Sequence, residues 1–143
     1  MTDKNLKTLI VLFKTQKNLN RHIKKSLQGS GLSVNEFAAL EALYNKGDLS
    51  VNELLNYVLI PNSSMTYVVS SLTKKGYIED YLKPTDQRIK CLKISAVGRV
   101  VFTRAYEKHY AHIRKQFDVL TSEEEAQLVT LLKKLGHSLE GSI

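Results

Sequence analysis

The sequence predicts a mainly α-helical fold with a small β-wing, in which a winged helix-turn-helix domain carries additional helices at both ends. Two observations predict this fold. Residues 49–75 carry two short apolar stripes at helical spacing, and residues 77–94 continue directly as a β-hairpin pattern with a polar tip. Longer helical stripes precede and follow this module. At 143 residues, of which 43% are hydrophobic, the chain is long enough to bury the core of one domain.

A first helix is predicted near the N-terminus, where apolar residues recur at helical spacing. The two glycines of segment 28–31 are expected to end it. Its stripe consists of Leu6, Leu9, Ile10, Phe13, Leu19, Ile23 and Leu27.

Two short helices are predicted in the centre of the chain. The pattern Ser50-x-x-Glu53 is typical of a capping box and marks the start of the first. The expected buried positions are Val51, Leu54, Leu55 and Val58 in the first helix and Met65, Val68, Val69 and Leu72 in the second. Between its apolar positions the second helix carries Ser63, Ser64, Thr66, Tyr67, Ser70, Ser71 and Lys74. An ordinary solvated face would carry Glu and Lys pairs, so this acid-free face is predicted to bind a partner.

A β-hairpin is predicted to follow as the wing. Gly76 fits a helix C-cap, and residues 77–82 form a β-prone run with rough alternation. A polar, turn-rich tip is expected over residues 83–88, and a second strand over residues 89–94.

Two further helices are predicted after the wing. Ser95 is expected to cap a helix that extends through Phe117, and Thr121-x-x-Glu124 is again a capping-box pattern. The apolar stripe of the last helix consists of Leu128, Val129, Leu131, Leu132 and Leu135. The terminal helices carry more apolar surface than a small winged domain can cover, so we expect them to pack against a second copy of the chain in a two-fold homodimer.

The motifs of the chain resemble those of the MarR family of transcriptional regulators. Asp86-Gln87-Arg88 followed by Leu92-Lys93-Ile94-Ser95 and Gly98 is similar to the wing signature of that family. The similarity extends back through Leu72, Lys75, Gly76, Tyr77 and Ile78, and through Leu32-Ser33-Val34-Asn35-Glu36-Phe37 with Leu40 and Leu43. It therefore covers essentially the whole chain. It implies a single domain over residues 1–143, with dimerisation helices in 1–30 and 96–143, and a winged helix-turn-helix in 32–95 whose wing spans about 77–94.

The resemblance implies binding to double-stranded DNA at an inverted repeat, because two helices related by a two-fold axis fit major grooves about 34 Å apart. The residues expected to reach base edges and phosphates are Asn62, Ser63, Ser64, Thr66 and Tyr67, with Lys74 and Lys75 near the backbone. Pro61 occupies a position where the family often has a capping serine, so Asn62 is the predicted N-cap.

Arg88 is the candidate for contact with the minor groove, whose negative potential attracts a guanidinium group. Asp86, two residues earlier, is expected to hold that guanidinium in register. The alternative is an ordinary exposed turn in which Asp86 stabilises the bend and Arg88 is solvated.

The charge distribution agrees with a polyanionic partner. The chain has a formal net charge of +7, and residues 1–31 carry seven basic side chains and one acidic one. Residues 61–95 carry six basic and three acidic side chains, whereas residues 32–60 have an acidic excess. Such charge attracts phosphates without sequence preference and does not distinguish DNA from RNA or an anionic membrane.

The predicted function is that of a homodimeric regulator, expected to be a repressor, that a small aromatic, phenolic or quinone-like effector releases from DNA. Residues 44–47 and 58–60 resemble the quinone-responsive subgroup of the family, and the effector-binding residues are left unassigned. Tyr106, Tyr110 and Phe117 fit an effector pocket, but also a core or a dimer seam. The alternatives are a constitutive architectural nucleic-acid-binding protein without an effector and a helical interaction protein.

The remaining chemistry predicts no enzyme, no cofactor and no metal. Nucleophile, phosphate-loop and zinc-protease motifs are missing from the sequence, and His22, His109, His112 and His137 are scattered. Cys91, the single cysteine, is interpreted as a packed thiol, with an oxidation sensor as the alternative. With no apolar run of about 18 residues and no secretory signal pattern, we expect a cytoplasmic protein that does not enter a membrane.

Overall fold

Six helices and three short strands make up the part of the chain that the structure describes. This computed structural model describes Lys4, residues 6–58 and residues 60–141, apart from the side chain of Asn62. In chain order the elements are α1 (Lys7–Ser26), α2 (Val34–Lys46), β1 (Leu49–Ser50), α3 (Val51–Tyr57), α4 (Asn62–Lys74), β2 (Ile78–Lys83), β3 (Asp86–Ile94), α5 (Ala96–Phe117) and α6 (Ser122–Glu140). The predicted mainly α fold with a β-wing is confirmed.

The helix starts follow from local sequence signals. Ser50 with Glu53 and Thr121 with Glu124 form the two predicted capping boxes, at the starts of α3 and α6. Ser33 and Glu36 form a third at the start of α2. The Ser95 hydroxyl accepts a hydrogen bond from the Gly98 amide at 2.9 Å and thereby caps α5, as predicted. These side chains satisfy amide groups that have no partner within their own helix.

The wing is a hairpin of β2 and β3 to which a third strand is added. The sheet is antiparallel with the order β1-β3-β2, and β1 pairs Leu49 with Leu92 and Ser50 with Cys91. The predicted six-residue tip over 83–88 was too long, since Lys83 already pairs with Asp86. The connection is therefore the two-residue turn Pro84-Thr85, and Arg88 lies within β3 instead of at the tip.

The core lies beneath the helix-turn-helix, where α2, α3, α4, the sheet and the start of α5 meet. All four predicted apolar positions of α4 are buried, whereas in α3 only Leu54 is fully buried. The largest fully buried side chains are Leu40, Leu43, Leu54, Met65, Leu72 and Leu92. This core fixes α4 against α2 and the wing, so that the opposite face of α4 points outward.

The terminal helices leave much of their apolar surface uncovered. Helix α1 contacts α5, but Leu6 is 69% exposed and Phe13 is 60% exposed. Helix α6 contains no buried residue, and an open groove of about 870 Å³ lies between its leucines and α1. We call this feature the α1–α6 groove; it is lined by Lys7, Thr8, Val11, Leu12, Thr15, Gln16, Leu19, Phe117, Leu128, Leu131, Leu132 and Leu135.

None of the helices in the described residues is long and apolar enough to cross a membrane.

Candidate nucleic-acid interface

The outward side of α4 is a continuous polar surface. Its exposed residues follow one another at helical spacing, opposite the buried stripe, and Tyr67 is the most prominent with 75% of its surface exposed. We call this surface the recognition face; it consists of Ser63, Thr66, Tyr67, Ser70 and Lys74. It presents hydroxyl donors and acceptors and one cation, and no acid.

The start of α4 differs from the prediction in one residue. Pro61 occupies the N-cap position and Asn62 is already helical, so the prediction of Asn62 as the N-cap is wrong. The physical reason is that the Pro61 carbonyl accepts hydrogen bonds from the amides of Ser64 and Met65, at 2.8 and 3.2 Å, without a side-chain cap. The predicted DNA contact through the Asn62 side chain lies outside the described residues. Ser64 is half-buried beside the recognition face.

Arg88 and Asp86 form a fork on β3. The Arg88 Nε and Nη2 atoms donate to Asp86 Oδ1 and Oδ2 at 3.0 and 3.1 Å, and the Arg88 amide also donates to Oδ1. These bonds lower the pKa of the Asp86 carboxyl and raise that of Arg88. The Arg88 side chain is nevertheless 90% exposed, so its remaining N–H donors face solvent. The predicted Asp86–Arg88 pairing is present.

The Lys75 side chain points away from the recognition face and toward the start of α2. Its ammonium group donates to both Glu36 carboxylate oxygens, at 3.1 and 2.9 Å, and to the Gly31 carbonyl at 3.0 Å. The Ser71 hydroxyl also donates to Glu36, at 2.8 Å. We call these groups the Glu36 cluster. Ser71 and Lys75, which the sequence places with the polar residues of α4, therefore bond to α2 instead of lining the recognition face.

The Glu36 cluster is the feature that sequence reasoning missed. Glu36 is 5% exposed, and burial raises the pKa of its carboxyl. The hydrogen bonds from Lys75, Ser33 and Ser71 lower that pKa more, so the net value is below the usual 4.5. The capping pattern Ser33-x-x-Glu36 was an available local signal, but nothing local indicates that Glu36 also reaches Lys75.

A tyrosine of the wing bonds to the short segment between α2 and β1. The Tyr81 hydroxyl donates to Asp48 Oδ2 at 2.7 Å, which raises the pKa of Tyr81 to about 12. Lys90 and Asp80 form an ion pair across the hairpin at 2.8 Å. These contacts join β2 to the segment before β1 and to β3, the strand that carries Arg88.

A second cavity, of about 460 Å³, lies where α2, α5 and α6 meet. We call it the aromatic cavity, because Tyr106, Tyr110 and Phe117 line it together with Glu41 and His109. Burial raises the pKa of the Glu41 carboxyl and, with a smaller effect of His112, lowers that of His109. The ion pair of Arg114 with Glu125 also lines the cavity. A cavity with aromatic walls and a few polar groups suits a small planar molecule.

The histidines and the cysteine have structural contacts. His22 Nδ1 lies 3.0 Å from His112 Nε2, and the Ser26 hydroxyl lies 2.9 Å from His109 Nδ1. No three metal-ligating side chains converge anywhere in the described parts of the chain. Cys91 is buried within β3, in keeping with its interpretation as a packed thiol.

Comparisons with known proteins give one consistent result. The sequence profile of the MarR family matches residues 30–89. The chain is similar to the HTH-type transcriptional regulator MhqR of Bacillus subtilis, with 35% identity over 95% of this chain and 94% of that protein. Two solved structures share the fold. A MarR mutant from E. coli in complex with operator DNA has a TM-score of 0.82 and 19% identity, covering 91% of this chain and 94% of that one. PcaV from Streptomyces coelicolor, in complex with its natural ligand, has a TM-score of 0.79 and 19% identity, covering 97% and 99%.

Proposed function

This chain belongs to the MarR family of winged helix-turn-helix transcriptional regulators, and from that premise we propose that it is a homodimeric repressor. Family membership makes it a DNA-binding regulator and not an enzyme. The further elements of the proposal are an inverted-repeat operator, release by a small aromatic, phenolic or quinone-like effector, and contacts to DNA from the recognition face and Arg88.

The observation that carries the proposal is the acid-free recognition face, which projects from a rigid core while Arg88 is held in a fork on the wing. Hydroxyl groups bond to base edges and phosphates, and an exposed guanidinium suits a narrow minor groove. Asn62, Ser63, Ser64, Thr66 and Tyr67 are the proposed contacts of the helix start, with Lys74 near the backbone. Asp86 acts by orienting Arg88.

The uncovered apolar surface of α1 and α6 supports the homodimer. Leu131 and Leu132 are 63% and 44% exposed in the single chain, and both line the α1–α6 groove. Contiguous apolar surface of this kind marks an interaction site. A second copy placing its own α1 and α6 there would cover both surfaces by one two-fold contact.

The test is a gel-shift titration of the DNA upstream of the gene that encodes the protein, with bulk competitor present. We expect a complex at nanomolar dimer concentration, and we expect Arg88→Ala to weaken it roughly 5- to 150-fold. Arg104→Ala removes the same charge from an exposed position on α5 and should leave the affinity nearly unchanged.

Two other results would contradict this proposal. Binding that loses all sequence preference once competitor is added would indicate an architectural protein. Failure to bind any duplex at low salt would indicate a helical interaction protein.

The aromatic cavity supports the effector part of the proposal. It lies between α2, α5 and α6, and PcaV, a protein of the same fold, was solved with a natural ligand. A ligand releases DNA only if it binds more tightly to a dimer whose recognition helices are misaligned with the operator. A small molecule at the junction of α2, α5 and α6 is placed to favour such a state.

Titration of the protein–DNA complex with phenol, hydroquinone and benzoquinone tests this part. We expect at least one of them to dissociate the complex, and Tyr110→Ala, which opens one wall of the cavity, to raise the concentration required about tenfold, or about 1.4 kcal/mol. Because Cys91 is buried, Cys91→Ser should respond like the wild type. Loss of the response in Cys91→Ser, with Tyr110→Ala unaffected, would indicate thiol chemistry instead.

A further inference from the structure

The C-terminal end of α4 is held by a group of hydrogen bonds in which no residue of the recognition face takes part. The Glu36 carboxylate is almost fully buried and accepts bonds from the Ser33 amide, the Ser71 hydroxyl and the Lys75 ammonium, all between 2.8 and 3.1 Å. Lys75 additionally bonds to the Gly31 carbonyl in the turn after α1. One cluster therefore joins the loop between α1 and α2, the start of α2 and the end of α4.

We propose that Glu36 and Lys75 are a positioning pair, which sets the orientation of α4 relative to α1 and α2 and thereby the geometry of DNA recognition. This inference rests on the proposed function. It also replaces the predicted role of Lys75 as a phosphate contact. A lysine ammonium has three N–H donors, and here three acceptors lie within 3.1 Å of it.

Transfer of Lys75 to a phosphate would be strongly unfavourable. The Lys75 side chain is 36% exposed, but the Glu36 side chain is only 7% exposed and would be left as a buried carboxylate without its cation. Removing the partner of a buried charge is more costly than separating two exposed charges. Lys74, the preceding residue, lies on the exposed side of the same turn and has no such constraint. Adjacent lysines thus have different roles.

The Glu36 cluster lies at the end of α4 opposite to the proposed DNA contacts, so a small tilt there displaces those contacts. Helix α4 has 13 residues and is about 20 Å long, so a tilt of about 10° at its anchored end would move its first turn by about 3 Å. Hydrogen bonds to base edges do not tolerate such a displacement. Lys75 also bonds to the Gly31 carbonyl, so the same group of bonds holds the loop between α1 and α2 against the end of α4.

The chain continues from this anchor directly into the wing. The Gly76 amide bonds to the Thr73 carbonyl and the Tyr77 amide to the Leu72 carbonyl, both at 3.0 Å, which closes α4 in a Schellman motif with Gly76 at a φ of 77°. The Gly76 carbonyl accepts a bond from Ser95 at the start of α5. Fixing Lys75 therefore also fixes the start of β2.

The experiment compares Glu36→Gln, Lys75→Met and the double variant with the wild type, using Lys74→Met as the matched control. Operator affinity is measured over a range of salt concentrations at a temperature where circular dichroism shows every variant folded. Amide hydrogen exchange is followed in residues 71–77. The exchange measurement needs no DNA and therefore separates failure of this inference from failure of the proposed function.

We expect Glu36→Gln and Lys75→Met each to weaken operator binding about tenfold and the double variant to be no weaker than the weaker single one, because both break the same pair. Exchange in residues 71–77 should accelerate in both, and Lys75→Arg should restore most of the affinity. The salt slope should stay unchanged for Lys75→Met, whereas Lys74→Met should lower it by about 0.9 for each protomer.

The inference is overturned if Lys75→Met lowers the salt slope while Glu36→Gln leaves affinity unchanged, since Lys75 would then be a phosphate contact. Unchanged exchange in residues 71–77 of both variants would overturn it as well. If the wild type prefers no duplex, the proposed function fails, and the exchange result alone decides whether the pair positions α4.

Discussion

Arg88 is an exposed side chain whose conformation is restricted by its hydrogen bonds to Asp86. Its ion pair with Asp86 lies at the surface, where such pairs contribute little to stability. The pair restricts the conformation of Arg88 instead. A guanidinium already held by two hydrogen bonds would lose less conformational entropy on entering a groove of DNA. The register of the hairpin is irregular here, because Leu82 pairs with Lys90 and Lys83 with Asp86, and the bond from the Arg88 amide to Asp86 Oδ1 helps to hold the two side chains together.

Gly98 is a residue whose lack of a side chain is required by its surroundings. A Cβ atom at this position would lie 2.1 Å from the Tyr77 carbonyl oxygen and 3.0 Å from Ile94 Cγ1. The Tyr77 carbonyl cannot easily move away, because it accepts a hydrogen bond from the Ser95 amide at 3.0 Å. The start of α5 therefore approaches the wing more closely than any other residue would allow.

We predict that Gly98→Ala lowers the free energy of unfolding by about 1–3 kcal/mol, since the backbone must shift to admit the methyl group. Chemical denaturation followed by circular dichroism measures this change. Gly136→Ala is the matched control, because Gly136 lies within α6 and a Cβ there meets no atom within 4 Å. That variant should be unchanged or more stable by up to about 1 kcal/mol. Equal stability of the two variants would contradict the close approach at Gly98.

At the scale of elements, the helices could be predicted because their signals are local. Capping boxes, apolar stripes and the turn at Gly76 each act within a few residues, and the five helices predicted from them, α1, α3, α4, α5 and α6, are present. The capping box that starts α2 was overlooked. Strand β1 was not predicted, because two residues are too few to show alternation, and only its pairing with Leu92 and Cys91 makes it a strand. The hairpin turn was placed too broadly because polar residues of a strand end resemble a loop.

The same distinction separates the predictable from the unpredictable part of the candidate site. The stripe of Met65, Val68, Val69 and Leu72 fixes which side of α4 faces outward, so most of the recognition face follows from the sequence. Lys75 and Ser71 could not be assigned in this way. Their partner Glu36 is 39 and 35 residues away in the chain, and that contact depends on how α2 packs against α4.

At the scale of the whole molecule, the chain combines a basic N-terminal segment with exposed apolar surface on α1 and α6. The seven basic side chains of residues 1–31 attract a polyanion without specificity, which is expected to make any DNA complex sensitive to salt. The exposed leucines of α6 are apolar and do not attract a polyanion. The apolar stripe of the sequence predicts which leucines lie on one side of α6. The groove that they form with α1 depends on how α1, α5 and α6 pack, which the stripe does not show.

The last prediction concerns this groove. If α1 and α6 of two chains cover each other, the wild type should sediment at micromolar concentration with twice the protomer mass of 16.2 kDa. Leu131→Glu should shift it to the protomer mass, because two carboxylates would be buried without partners in each dimer. The control is Leu82→Glu in the wing, which alters a leucine that is 56% exposed outside the groove and should leave the dimer intact. A wild type that sediments as a protomer, or a Leu131→Glu variant that remains dimeric, would rule out this arrangement.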